Sequence, residues 1–285
     1  MKSGIVFCAL ARDCRSRLKR NYKAVKAWRR EFPSARWLFI ENDSRDGTRE
    51  LLEKWAAADS RISVIGEKTG ERTIPPASVS SVIPGYSLHR IERMARFRNI
   101  YLDWITENVG WDGLRWVVVI DPDVRGLPIS RVTHWLRKEP AEQAVTAFGQ
   151  RWKNARSKEF HDAYAFRETG DFSVQTKEAI FRRRATLSEK IRSWNGLYPV
   201  RSNFNGLGIY PAQAMRDCRY EALPNGDPEV ESECEHLPFH DGLAKKGIQV
   251  VLDPELSITY NGWVAVSTGQ VKTAMRKWFG KKTDE

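Results

Sequence analysis

The chain has 285 residues, 41% hydrophobic and 29% charged, with 47 Lys and Arg against 36 Asp and Glu for a net charge of +11. These proportions are ordinary for a soluble globular protein, and no apolar run approaches the ~20 residues needed to cross a bilayer. The charge excess selects for anionic partners (nucleic acid, a membrane surface or phosphorylated small molecules) without choosing among them.

No Gly/Ser/Pro linker divides the chain, so one continuous α/β domain is expected. Cys8, Cys14, Cys218 and Cys234 show neither CxxC spacing nor disulfide density. The N-terminus has no signal-peptide cleavage pattern, and together these features read as reduced thiols in a cytoplasmic protein.

In chain order, Gly4–Leu10, Trp37–Glu41, Ile62–Ile65, Trp116–Asp121, Ala144–Phe148 and Ile248–Leu252 are predicted as buried strands of a largely parallel sheet. After the first strand, the stretch from Arg12 to Arg30 is densely basic, with Arg15, Arg17, Lys19, Arg20, Lys23, Lys26, Arg29 and Arg30. A solvated helix face is its plain reading. A helix with Leu51, Leu52 and Trp55 on its apolar side follows Asp46-Gly47-Thr48, where Asp46 is the expected N-cap. The β-α-β alternation predicts a Rossmann-like nucleotide-binding platform. No GxGxxG or GxxxxGK[ST] follows the first strand, which argues against a dinucleotide dehydrogenase or a P-loop enzyme.

Between Glu67 and Gly85 periodicity disappears, and a mobile loop near the active site is expected there. A helix over Leu88–Asn108 carries an apolar stripe of Ile91, Met94, Tyr101 or Leu102, and Ile105, with Arg98 on the same stripe. A guanidinium there needs an anionic partner or water, so Arg98 is either an internal salt-bridge residue or a cation near a bound phosphate.

The strand Leu114–Ile120 runs into Asp121-Pro122-Asp123. Ligand sites in open α/β sheets lie beyond the carboxyl ends of strands. Two carboxylates there in extended backbone project the same way and repel unless a cation neutralises them. Mg²⁺ or Mn²⁺ suits such a pair, because these hard cations take carboxylate and phosphate oxygens together. The alternative is that both aspartates cap the next helix. At the C-terminus Val271, Met275 and Trp278, flanked by Lys272, Arg276 and Lys277, suit a basic amphipathic helix. It would either rest on an anionic membrane or pack on the body.

The order of segments resembles the GT-A glycosyltransferases, and more closely the fungal capsule α-1,3-mannosyltransferase family and its bacterial relatives. The resemblance spans roughly residues 4 to 262. It rests on Cys8-Ala9-Leu10-Ala11-Arg12, Phe39-Ile40-Glu41-Asn42-Asp43-Ser44 with Asp46-Gly47-Thr48, Met94-Ala95 with Arg98-Asn99, and the strand ending at Asp121. Later blocks are Phe160–Glu168, Asn203-Phe204-Asn205-Gly206, Ser232-Glu233-Cys234, His240-Asp241 and Asp253-Pro254. His161, Tyr164 and Glu168 depart from the family pattern, as does the Asp-Pro-Asp of the metal strand.

The resemblance implies a nucleotide-diphospho-sugar donor, GDP- or UDP-linked, a divalent metal, and transfer of a sugar such as mannose with retention, in surface polysaccharide synthesis. It implies a nucleotide-sugar-binding half over residues 1–125, an acceptor half over 126–262 and a basic tail helix over 263–285. Leu10, Arg12 and Glu41 would line the base and ribose end, Arg98 would face the diphosphate, and His240, with His236 second, would join Asp121 and Asp123 on the metal. Glu233, Asp162 and Asp241 are the candidate catalytic carboxylates, and Arg167 and Asn205 the candidate sugar contacts.

Retention allows either a covalent glycosyl-enzyme or attack on the leaving-group face. The acceptor would be a glycan or a lipid-linked glycan, reached from the cytoplasm at the inner membrane surface, with no nucleic acid expected. The rival classes are a sugar nucleotidyltransferase and a non-catalytic glycan- or nucleic-acid-binding protein. The first usually carries a Gly-rich loop after strand one, whereas Ala11-Arg12-Asp13-Cys14-Arg15 has no glycine. A nucleic-acid binder would interleave basic and aromatic residues on one surface, but most of the 11 tryptophans sit in apolar strand or helix patterns.

Overall fold

The structure, a computed structural model, describes residues 4–70, 83–140, 142–154 and 156–260. Its centre is β1 (Gly4–Ala11), flanked in parallel by β2 (Arg36–Asn42) and β4 (Leu114–Ile120), with β3 (Ile62–Glu67) parallel beyond β2. The sheet continues through β5 (Gln143–Trp152), β6 (Lys158–Phe160), β7 (Arg167–Glu168), β8 (Tyr198–Ser202), β9 (Leu207–Pro211) and β10 (Gln249–Tyr260). The strand order is β3-β2-β1-β4-β9-β5-β10-β8-β7, with β6 paired to β5.

All six strands expected from the sequence run in one direction, joined by β7, while β6, β8 and β9 run against them. The sheet is therefore largely parallel in direction. The insertion of β9 between β4 and β5 nevertheless makes the pairings of the second half mixed. The four strands missed from sequence have two to five residues each, too short to show a period.

The pleat divides the core in two. Ile5, Phe7 and Ala9 point into one cluster, and Val6 and Cys8 into the other. The first cluster is covered by α1 (Arg15–Glu31), α2 (Thr48–Ala58) and α4 (Ile129–Arg137), through Trp28, Leu52, Trp55 and Val132. The second is covered by α3 (Leu88–Asn108), α5 (Lys177–Arg192), the short α6 (Ala212–Met215) and α7 (His236–Ala244), through Tyr101, Ile180, Met215 and Phe239. Covering both faces is what allows parallel strands to be apolar on each side.

The cap of α2 departs from expectation. Gly47, at φ +82°, holds the cap position, and Asp46 sits one residue earlier. The Asp46 carboxylate still serves the helix, accepting from Thr48 N at 3.0 Å, and it also accepts from Arg15 N at 2.9 Å in the first turn of α1. Among the described residues no helix is long and apolar enough to cross a membrane. Most of the Glu67–Gly85 loop and the basic segment after residue 260 lie outside the described residues.

Candidate active site

β4 delivers Asp121 to the carboxyl edge of the sheet, where the backbone leaves the strand and turns at Pro122 and Asp123. The pair therefore stands in a turn and not, as expected, in extended backbone. The turn is pinned from three sides. Asp121 N donates to Gly206 O at 2.8 Å, Asn21 Nδ2 donates to Pro122 O at 3.0 Å and Val124 O at 2.9 Å, and Arg125 N donates to Thr259 O at 2.9 Å. Neither aspartate caps the next helix, since α4 begins after Pro128 with no side-chain cap. The capping alternative is thereby removed.

The two carboxylates have different surroundings. Asp121 is half-buried and its Oδ2 accepts from the Tyr260 hydroxyl at 2.8 Å. Loss of water raises its pKa, opposed by the Arg98 charge and the Tyr260 bond. Asp123 is open to solvent on one side, yet the protein around it excludes enough water, with Asp121 repelling its charge, to push it up to about 6. Arg17 on α1 acts the other way. Two neighbouring carboxylates that resist ionisation suit a divalent cation.

No set of three His, Cys, Asp or Glu side chains placed to hold a metal occurs among the described residues. Asp121 and Asp123 fit a Mg²⁺ or Mn²⁺ site of the kind completed by substrate phosphate and water, which needs only one or two carboxylates. His240, expected as a third ligand, is fully buried on α7. Both its ring nitrogens are taken, Nδ1 by Ser202 Oγ at 3.0 Å and Nε2 by the Tyr210 hydroxyl at 3.1 Å. Burial and the Arg98 charge push its pKa down to about 3, the mark of a neutral structural histidine. His236 is also buried, stacked on Phe204 at 4.1 Å.

The carboxyl ends of β1, β2 and β3 form a cleft of about 650 Å³ lined by Arg12, Asp43, Arg45, Arg49, Lys68 and Thr69, among others. Its walls are two βα loops tied together: Asp13 N donates to Ser44 Oγ at 3.0 Å, and Arg45 N to Asp13 Oδ1 at 2.7 Å. Asp43, at φ +51°, accepts from the amides of Thr69 and Gly70 at 3.1 Å, and a hydrogen bond from the Thr69 hydroxyl heads the causes that hold its pKa down. Leu10 is half-buried at the end of β1, and Arg12 reaches the cleft. Glu41 is fully buried, accepting from Ser44 N at 2.8 Å and pairing with Arg49 at 2.5 Å. It braces the wall of the cleft and is not open to a ribose.

Arg98 resolves to the internal reading. It is 3% exposed, donates to Glu235 at 2.9 Å, and lies 4.7 Å from the Phe204 ring and 5.7 Å from the Tyr220 ring. It acts on the site through charge, helping Asp121 ionise. Asp162 shares this electrostatic neighbourhood. Burial first, then Glu235 and Asp121, push it up to about 6. Its backbone N–H is held by Asn205 Oδ1 at 2.9 Å, and its carboxylate accepts from Ala165 N at 3.1 Å.

Asn205 is buried in the left-handed region at φ +52° and bonds to Asn203, so it shapes the turn beneath Asp121. The remaining candidates form ion pairs of their own: Glu233 with buried Arg167, and Asp241 with Arg201 in a two-pronged pair at 2.9 and 2.7 Å. Sequence reasoning missed Glu235 and Tyr260 as site residues. The one available signal for Tyr260 was an aromatic residue ending a strand that runs eight residues past its expected end at Leu252.

Comparison with known proteins agrees with this architecture. A sequence profile described as Cryptococcal mannosyltransferase 1 matches residues 38–240. No curated protein sequence matches the chain. Among solved structures, GalNAc-T7 with UDP, GalNAc and Mn²⁺ is 13% identical, with 91% of this chain and 44% of that chain covered and a TM-score of 0.50. The mannosyltransferase PcManGT from Pyrobaculum calidifontis, in complex with GDP-Man and Mn²⁺, is 12% identical over 96% of this chain and 60% of that one, TM-score 0.46. S. aureus TarS 1-349 with UDP-GlcNAc is 9% identical over 90% and 58%, TM-score 0.47. The chain thus spans about 60% or less of these structures. At 13% identity and a TM-score of 0.50, the likeness to GalNAc-T7 speaks for the fold alone. The profile, by contrast, covers well over half of the chain, which therefore belongs to the Cryptococcal mannosyltransferase 1 family of GT-A glycosyltransferases.

Proposed function

We propose that the chain is a metal-dependent transferase that moves a sugar, mannose by family, from a GDP- or UDP-linked donor to a glycan or lipid-linked acceptor with retention. The observation that carries this reading is the Asp121/Asp123 pair at the carboxyl end of β4, beside the polar cleft at the ends of β1–β3. The cleft takes the nucleoside, with Arg12 and Arg45 near its phosphates. Asp121 and Asp123 hold Mn²⁺ or Mg²⁺, which when bound supplies positive charge to the departing diphosphate. Tyr260 and the Gly206 carbonyl orient Asp121, and the Arg98 charge favours its ionised form against the effect of burial.

Of the three candidate carboxylates, Asp162 best suits the reacting sugar. It lies in the field of Asp121 and Glu235, whereas arginines already neutralise Glu233 and Asp241. Attack from the leaving-group face, with the acceptor proton passing to a donor phosphate oxygen, needs no further base from the chain.

Thermal shift against GDP-, UDP-, CMP- and dTDP-sugars, with and without Mn²⁺, tests the reading. The expected result is metal-dependent stabilisation by a GDP- or UDP-sugar that Asp121→Ala and Asp123→Ala abolish. Stabilisation by none of them, or binding unaffected by both substitutions, sinks it.

A further inference from the structure

The basic density of α1 is not absorbed by the donor site. At the amino edge of the sheet, opposite Asp121, lies a cavity of about 590 Å³ lined by Tyr22, Lys23, Lys26, Arg29, Arg30 and Arg61. Arg61 immediately precedes β3, and its carbonyl accepts from Trp37 N at the start of β2 at 2.8 Å, which places the cavity at the strand beginnings. α1 has 17 residues, so its two ends are about 25 Å apart. Arg15, at the other end, bonds to the loop that walls the donor cleft.

The lining holds five cations and no acid. One carboxylate, nearly buried Asp59, ion-pairs with both Arg29 and Arg61, contacting Arg61 at 2.8 Å, and so fixes two guanidinium groups in place. The Tyr22 ring is held against Trp55 at 4.4 Å, and Lys26 sits 5.5 Å from the Tyr22 ring. Lys23, Lys26 and Arg30 are exposed and make no ion pair among the described residues. Arg29 and Arg30 lie in the last turn of α1, where cations complement the helix dipole. That accounts for neither Lys23 nor Arg61. Like charges at i, i+3 and i, i+4 along Lys23, Lys26 and Arg30 are unfavourable unless something anionic sits among them.

We propose that this cavity is a second anion site, for a multiply charged phosphate group, separate from the donor site. Preorganised guanidinium forks and mobile ammonium groups are the donor set that takes phosphate oxygens in several directions. The group can come from a soluble polyphosphate or from the headgroup of an anionic lipid. The inference does not depend on the glycosyltransferase reading.

The test uses the full chain carrying Asp121→Ala and Asp123→Ala, in EDTA, so that the donor site does not contribute. Inorganic pyrophosphate is titrated calorimetrically, and flotation is measured with phosphatidylcholine vesicles with and without phosphatidic acid. Lys23→Glu/Lys26→Glu/Arg30→Glu is compared with the milder Lys23→Gln/Lys26→Gln/Arg30→Gln, leaving the Asp59 brace intact. Saturable pyrophosphate binding weakened about tenfold or more in the triple variants supports a soluble ligand. Flotation only with phosphatidic acid, lost in the triple variants and competed by pyrophosphate, supports the headgroup. Binding to neither probe, binding unchanged in both variants, or retention of a short RNA with no response to either probe overturns the proposal.

Discussion

The Tyr260 hydroxyl donates to Asp121 Oδ2 at 2.8 Å, joining the end of β10 to the turn after β4 across 139 residues. Tyr260 is itself fixed by stacking on His161, ring centroids 3.6 Å apart. One oxygen of Asp121 is thus oriented by a rigid donor. Tyr260→Phe is expected to keep the ring packing, cost about 1–2 kcal/mol of stability, and raise the Mn²⁺ concentration needed for half-maximal activity severalfold. Urea denaturation and a metal titration check it. Loss of stability with an unchanged metal requirement would show that the contact is structural only.

Gly206 passes beneath that tyrosine. It has φ +86°, and a Cβ there would lie 1.8 Å from the Tyr260 hydroxyl oxygen and 2.8 Å from its ring. Gly206→Ala is therefore expected to destabilise by about 2 kcal/mol or more through clash and left-handed strain together. In a Tyr260→Ala background the clash is gone and only the strain remains, so the penalty should fall. An equal penalty in both backgrounds argues against the contact as its source.

Arg98 and Glu235 form a pair 3% and 4% exposed. Removing one charge, in Arg98→Met or Glu235→Gln, strands the other and is expected to cost about 3–5 kcal/mol, while the double variant recovers much of the loss. Because Arg98 also helps Asp121 ionise, Arg98→Met should raise the metal concentration needed for half-maximal activity beyond its effect on folding. Additive losses in the double-mutant cycle would contradict a coupled pair.

Asp162→Asn, which removes a negative charge beside the reacting sugar, is expected to lower kcat by at least about a hundredfold with little change in donor affinity. Glu233→Gln and Asp241→Asn, which break the largely buried pair with Arg167 and the half-buried pair with Arg201, should act mainly on stability. Single-turnover kinetics separate these outcomes. A larger kcat loss from Glu233→Gln than from Asp162→Asn would reverse the assignment.

His240 should leave a signature in the pH dependence of stability. Its folded pKa is lowered to about 3 against an ordinary 6.5, so between these values the unfolded chain binds a proton that the folded protein refuses. Stability contributed by His240 is complete above pH 6.5 and falls as pH drops toward 3, by about 1.4 kcal/mol per pH unit. Asp123 and Asp162, held near 6 in the folded state against 3.8, act oppositely below pH 6, so the comparison must be with a variant. His240→Gln should show a shallower acid dependence in urea unfolding. Parallel slopes for the two proteins would mean that His240 titrates normally.

The parallel half of the fold was legible because β1, β2, β4, β5 and the start of β10 are apolar runs buried on two faces, whereas β3, at the sheet edge, is buried only at Ile62 and not, as expected, along its length. The position of Asp121 and Asp123 was legible for the same reason, since carboxylates after such a run must lie at its carboxyl edge. The short strands β6 to β9 were not. Proline in β8 and β9 and lengths of two to five residues leave no local signal, and they form only because neighbouring strands offer backbone partners.

The roles within the site followed the same division. The sequence by itself determined that Arg98 on a core stripe required an anionic partner or water, and that the aspartate pair resisted sharing one place without a cation. Only the tertiary structure decided that the acid is Glu235, that Tyr260 orients Asp121, and that His240 spends both nitrogens on Ser202 and Tyr210. Those partners lie from 30 to 139 residues away in the chain, so their choice depends on how β9 and β10 insert into the sheet and not on any local pattern.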